Sequence, residues 1–151
     1  MAIIRHAGIE DAAKVARLAH MLWPEVEENV LSDEFNKSVV NPREAVFTAV
    51  VDNEIIAFTH CTLRTDYVEG TESSPVGYLE AVFVLPEYRR CGVARQLVHY
   101  SEKWALSKGC TEFASDCEFT NKDSYDFHLR LGFKEANRII CFTKQLGETA
   151  R

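Results

Sequence analysis

Apolar positions change their spacing from segment to segment along this 151-residue chain, and those changes outline its elements. Ala2 to His6 has the pattern of a short strand. From Ile9 to Leu22, Val15, Leu18, Ala19 and Leu22 recur at helical spacing, with Glu10 and Asp11 in the first turn, where the helix dipole favours negative charge. Trp23 and Pro24 interrupt the pattern. Val26, Val30, Phe35 and Val39 then set out a second, more acidic helix reaching Asn41-Pro42. Ala45 to Val51 and Glu54 to Arg64 are rich in β-branched and aromatic residues, and Asp52-Asn53 between them predicts a hairpin. Asp66 to Pro75 is a polar loop, and Val76 to Leu85 carries the strongest strand signal of the chain. Val93, Leu97, Val98, Trp104 and Ala105 mark a helix that ends near Gly109. Cys110 to Cys117 predicts another strand, Lys122 to Leu131 another helix, and Phe133 to Leu146 a closing strand pair or one long strand. Hairpins mixed with crossovers in this order predict an α+β sheet flanked by helices.

Composition narrows the picture. With 46% hydrophobic and 26% charged residues, the chain can bury a core as one domain over residues 1–151. MAIIRHAGIEDAAKV at the start lacks the uninterrupted apolar core of a secretory signal, and no stretch approaches the roughly 18 apolar residues of a membrane span. A soluble, cytoplasmic protein without a membrane partner is expected. Five cysteines, Cys61, Cys91, Cys110, Cys117 and Cys141, show neither a C-x-x-C pair nor a zinc spacing, so buried free thiols are expected, with no metal. The net charge of -6 argues against nucleic acid and suits cationic ligands, although acidity also serves solubility.

The stretch LPEYRRCGVARQL, residues 85–97, carries candidate chemistry. A turn between a buried strand and a helix start leaves main-chain N–H groups pointing outward, where the helix dipole adds roughly half a positive charge. Gly92 and Ala94 let a ligand come close, and Arg89, Arg90 and Arg95 supply charge suited to a pyrophosphate. No G-K-[ST] follows, and the three glycines of the dinucleotide fingerprint are missing.

The run Val84-Leu85-Pro86-Glu87-Tyr88-Arg89-Arg90-Cys91-Gly92-Val93-Ala94 resembles the acetyl-coenzyme A motif of the GNAT acetyltransferase superfamily. Asn121, Ser124, Phe127, His128, Gly132 and Phe133 match the spacing of that superfamily's second signature. The resemblance implies the GNAT fold, a mixed and mostly antiparallel sheet whose central strands, Val76 to Leu85 and Cys110 to Cys117, splay apart to admit acetyl-coenzyme A. It places the pantetheine arm along the main chain of Val82, Phe83 and Val84, with N–H groups there polarising the thioester carbonyl. The pyrophosphate falls to Arg89, Arg90, Cys91, Gly92, Val93, Ala94 and Arg95. Asn121 is expected to cap its helix and could also touch the cofactor.

Attack on a thioester needs a neutral amine, so an ammonium must first give up its proton to a carboxylate or to water. Glu80 lies in the otherwise apolar run Tyr78 to Phe83, a costly place for a carboxylate without a partner or a role, and Asp116 ends the neighbouring strand. The alternatives are a solvent-facing Glu80 and an Asp116 that opens a turn or caps the next helix.

Tyr67 to Gly77, Leu79-Glu80 and Thr111 to Asp116 are similar to the aminoglycoside 6'-N-acetyltransferases. That resemblance implies an aromatic and acidic pocket for a polycationic aminosugar, carried over to Trp23, Tyr67, Glu80 and Asp116, with Val26 beside them. His128 stands where many superfamily members place a tyrosine as acid to the departing thiolate. Glu135-Ala136-Asn137 departs from the branch's pattern after its Gly-Phe pair, and either Glu135 or Asn137 is a candidate contact. Tyr125 and Phe127 read as packing, and His6, His20, His60 and His99 show no cluster. Neither Cys91 nor Cys117 has a His-carboxylate escort, so direct transfer in a ternary complex is expected rather than an acyl-enzyme. A homodimer is expected from the family. The rivals are an acetyltransferase for a polyamine or a peptide N-terminus, and a non-catalytic binder of cationic drugs or acetyl-coenzyme A.

Overall fold

A computed structural model describes residues 1–147, which gather into two compact units, one of Met1–Asp116 and one from Cys117 onward. The first unit holds a five-stranded sheet in chain order: β1 (Ile3–His6), β2 (Glu44–Val51), β3 (Glu54–Arg64), β4 (Val76–Val84) and β5 (Phe113–Ala114). Neighbours from β1 to β4 run antiparallel, and β4 and β5 run parallel. The β2–β3 hairpin turns on Asp52 and Asn53, both in the left-handed region at φ +49° and +65°, as a two-residue turn matched to strand twist requires.

Both faces of the sheet are covered. On one, Val46 and Phe58 meet Val15 and Leu18 of α1 (Ala12–Leu22) and Leu31 and Phe35 of α2 (Glu28–Ser38). On the other, Ala45, Phe47 and Ile56 meet Leu97, Trp104 and Ala105 of α3 (Val93–Ser107). Burial on both sides explains why β2 reads as a continuous apolar run rather than an alternation. Gly77 keeps β4 close to its neighbours: a Cβ there would lie 2.7 Å from the Ala105 Cβ and 2.8 Å from Cδ1 of Phe113. The second unit holds α4 (Lys122–Arg130).

Several expectations are corrected. The first helix opens as a 3-10 turn, Ile9–Asp11, and Asp11 is not a free first-turn charge. Its buried carboxylate accepts the Gly8 N–H at 2.8 Å and two bonds from the Arg5 guanidinium at 2.7 and 3.2 Å. The strand expected over Cys110 to Cys117 shrinks to Phe113–Ala114, because its pairing with β4 ends there and the Ser115 hydroxyl donates to the Leu79 carbonyl instead. The closing strand expected over Phe133 to Leu146 is not formed among the described residues. A strand persists only where a neighbour pairs its main chain, and no ladder reaches this segment, which leaves Ile139, Ile140, Phe142 and Leu146 exposed. Cys61 and Cys110 are buried free thiols as expected, but Cys91 and Cys141 are exposed. No helix among the described residues is long and apolar enough to cross a membrane.

The hydrogen bonds from Arg5 hold the Asp11 carboxyl below the usual carboxylate range. A carboxyl depressed in the folded state stabilises above its unfolded value, near 4, and loses that contribution as pH falls toward its folded value. Arg5 is exposed enough for solvent to screen the pair, so Asp11→Asn should cost about 1 kcal/mol near neutrality. Urea unfolding of both proteins should show that difference at pH 6 and its progressive loss below pH ~4.

Candidate active site

The site begins where the ladder between β4 and β5 ends. Only Gly77 with Phe113 and Tyr78 with Ala114 are paired, and β4 continues to Val84 beyond them. The Leu85 N–H donates to Ile56 on the β3 side, so by strand alternation the N–H groups of Val84 and Val82 face the edge that β5 has left. A bulge interrupts the β3–β4 register: His60 faces Ala81 and Cys61 faces Leu79, which leaves Glu80 without an opposite residue. Bulges of this kind re-aim a side chain and sharpen the local twist.

Downstream, the chain passes through a 3-10 turn, Pro86–Tyr88, into α3. Arg89 donates from Nε to the Val84 carbonyl at 2.7 Å and lies over the Phe83 ring, so it braces the turn. Arg90 takes φ +62°, and Gly92, at φ +82°, is the N-cap of α3 with no side chain to occupy the helix start. A Cβ on Gly92 would point into open space. Arg90, Cys91 and Arg95 are exposed around this turn, while Val93 is buried and Ala94 half-buried. An open glycine cradle, a helix N-terminus and exposed guanidinium groups fit the diphosphate of a coenzyme A.

Beside the β4 edge lies a charged cluster that sequence reasoning foresaw only in part. The Glu80 carboxylate accepts the Thr62 hydroxyl at 2.7 Å and three contacts from the Arg64 guanidinium at 2.9, 3.0 and 3.2 Å. The same guanidinium stacks on the Tyr78 ring, 3.5 Å from its centroid, and the Tyr78 hydroxyl donates to Oδ2 of Asp116. Burial, reinforced by the Asp116 carboxylate, pushes the Tyr78 phenol well above its ordinary range, so it stays protonated as a donor. Glu80 is half-buried and Asp116 exposed, and Asp116 binds a tyrosine rather than capping a helix. Arg64, Thr62 and Tyr78 were missed. Their signal was present as alternation, Thr62/Arg64 on β3 and Tyr78/Glu80 on β4, but the register that joins them could not be read.

The remaining candidates of this unit are separate features. Trp23 ends α1, donating its N–H to the Ala19 carbonyl, and with Val26 packs at the margin of the α1–α2 core. Tyr67 is 75% exposed, in a loop anchored by Glu112, which accepts the Glu72 N–H at 2.9 Å and the Ser73 hydroxyl.

In the second unit, Asn121 caps α4 as expected, accepting the Ser124 N–H at 3.1 Å. His128 lies between the rings of Phe127 and Phe133, with Nδ1 2.6 Å from the Ser124 carbonyl. A carbonyl can only accept, so Nδ1 carries a proton and the neutral ring has none on Nε2. Glu135 is held by the Tyr125 hydroxyl and by Arg138, and Asn137 accepts the Arg138 N–H at 2.8 Å. Among the described residues, no group of three or more His, Cys, Asp or Glu is placed to hold a metal ion.

Comparisons with known proteins agree with this geometry. The chain is 41% identical over 128 residues to the aminoglycoside N(6')-acetyltransferase type 1 of Acinetobacter baumannii, covering 84% of this chain and 87% of that one. It is 38% identical over 148 residues to the enzyme of the same name from Stenotrophomonas maltophilia, covering 97% and 95%. The structure of AAC(6')-Iy in complex with the bisubstrate analog CoA-S-monomethyl-acetylneamine superposes with a TM-score of 0.92 at 35% identity, over 97% of this chain and 99% of that one. The fold is that of these acetyltransferases, an α+β sheet whose strands part at β4 and β5. Residues 12–133 match the acetyltransferase (GNAT) family across both compact units, and the chain belongs to that family.

Proposed function

We propose that this chain, acting as one domain over residues 1–151, is an aminoglycoside 6'-N-acetyltransferase that uses acetyl-coenzyme A. One observation carries the reading: on the single strand β4, an edge without a ladder and a carboxylate re-aimed by a bulge lie side by side, with a second carboxylate joined through Tyr78. Relatives named for this activity, and the neighbour bound to an analog joining coenzyme A to an aminosugar, support it.

Acetyl-coenzyme A supplies the acetyl group as an activated thioester. Main-chain N–H groups at Val82 and Val84, on either side of Phe83, bind and orient that substrate, and the α3 start with Arg89, Arg90, Cys91, Gly92, Val93, Ala94 and Arg95 binds its diphosphate. Glu80 and Asp116 receive the ammonium groups of the acceptor, and one of them, directly or through water, takes the proton that frees the attacking nitrogen. Trp23, Val26 and Tyr67 contribute walls of the acceptor site. His128 could protonate a departing thiolate from Nε2 only as an imidazolium, and a thiolate leaves without such help. We assign it to packing. The protein works in the cytoplasm, with no nucleic-acid or membrane partner. It works as a homodimer, in which a second copy covers the exposed apolar residues Ile139, Ile140, Phe142 and Leu146.

Thiol release from acetyl-coenzyme A, measured against a kanamycin-type drug, spermidine and a peptide amine, should be fastest with the drug. Preference for either other amine would overturn the substrate assignment. Asp116→Asn should lower kcat by about 10²-fold or more if Asp116 takes the proton, and an unchanged rate leaves Glu80 or water in that role. Arg90→Ala should raise the KM for acetyl-coenzyme A about tenfold, the effect of one charged contact, with the acceptor KM nearly unmoved. Light scattering after size exclusion should give twice the 17.2 kDa chain mass.

A further inference from the structure

The charged cluster contains a residue that the activity alone does not require. Glu80 is held from β3 by two side chains: Thr62 and Arg64 together place four contacts on its carboxylate, three of them on Oε2. Arg64 is also the link to the second carboxylate, since its guanidinium covers the Tyr78 ring and Tyr78 holds Asp116. An ionised carboxylate offers about four acceptor sites. Glu80 therefore keeps capacity on Oε1, which accepts one bond from Arg64, and Asp116 keeps Oδ1 while Oδ2 takes the phenol. Glu80 is thus held mainly through Oε2 and Asp116 through Oδ2, and each can still accept through its other oxygen.

We propose that Arg64 is the positioning residue of the acceptor site, fixing Glu80 directly and Asp116 through the Tyr78 ring, so that an incoming amine meets two oriented carboxylates in a cluster whose formal charge, with Arg64 included, is about -1. This rests on the acetyltransferase reading above. A planar fork suits both tasks at once, because guanidinium pairs bidentately with a carboxylate while lying flat on an aromatic face; a lysine ammonium of equal charge does neither. The cost of holding long side chains in place is met before substrate arrives, which is the condition for tight acceptor binding. Partial neutralisation by Arg64 also makes the site selective. Two unpaired acids would attract any cation, whereas a paired acid and a phenol-bound acid favour an amine that fits their fixed geometry.

The test uses the full chain with a kanamycin-type acceptor and three variants, Arg64→Ala, Arg64→Lys and Tyr78→Phe. Arg64→Ala should raise the acceptor KM at least tenfold and leave the KM for acetyl-coenzyme A within about twofold, a split that general unfolding would not produce. Arg64→Lys keeps the charge and should recover little of the loss. Tyr78→Phe keeps the ring but releases Asp116, and its effect should be smaller in an Arg64→Ala background than alone, because both act on the same carboxylate. Calorimetric titration of the acceptor into each protein gives the same ranking without turnover, so a wild type inactive toward aminoglycosides would sink the functional reading while the cationic ligand it does bind still tests Arg64. Thermal midpoints identify any variant that fails to fold, and Arg64→Lys, which retains the stem, then decides. An acceptor affinity that is unchanged or improved in Arg64→Ala, or full recovery by lysine, overturns the proposal.

Discussion

Main-chain donors and acceptors must find partners, and on the outer edge of β4 the partnership with β5 lasts only two residue pairs. Most of what is distinctive about the site follows from that shortfall. Side chains take over where the ladder stops: the Ser115 hydroxyl reaches the Leu79 carbonyl and the Arg89 guanidinium reaches the Val84 carbonyl. The N–H groups of Val82 and Val84 face a strand edge with the α3 start immediately downstream. Gly77 sets where the parting begins, because its missing side chain lets α3 and β5 approach β4 at the last paired positions.

The second constraint is electrostatic. A carboxylate on a sheet that is covered on both faces is expensive unless it is bonded, and Glu80 is bonded by a hydroxyl and a guanidinium from the adjacent strand. The bulge at His60/Cys61 makes this arrangement possible by removing Glu80 from the regular pairing. Acidity that composition presents as a bulk property, a net charge of -6, resolves here into a mixed cluster in which one acid is paired and the other accepts a phenol's hydrogen bond.

Local signals in the sequence were legible where local chemistry decides the structure. Asp52-Asn53 announces its turn because few residues tolerate the left-handed conformation, and Gly92 marks the start of α3 for the same reason. Glu80 stood out as a charge in an apolar strand. Its partners did not, since Arg64 and Thr62 lie 16 and 18 positions away and meet it only through a register shifted by one bulge. The stretch from Cys110 to Cys117 has the composition of a strand, yet pairing across space, not propensity, sets its length. The apolar run at Ile139 and Ile140 likewise has strand composition, and its main-chain partners are not among the described strands.

The strand edge and the charged cluster differ in what they are made of. An N–H group belongs to every amino acid but proline, so a surface composed of N–H groups survives most point substitutions unchanged. The cluster depends on the identities of Thr62, Arg64, Tyr78 and Glu80, and a single codon change can rewrite it. Under the proposed division of labour, a lineage built on this architecture could acquire new acceptors rapidly while its acyl donor stayed the same.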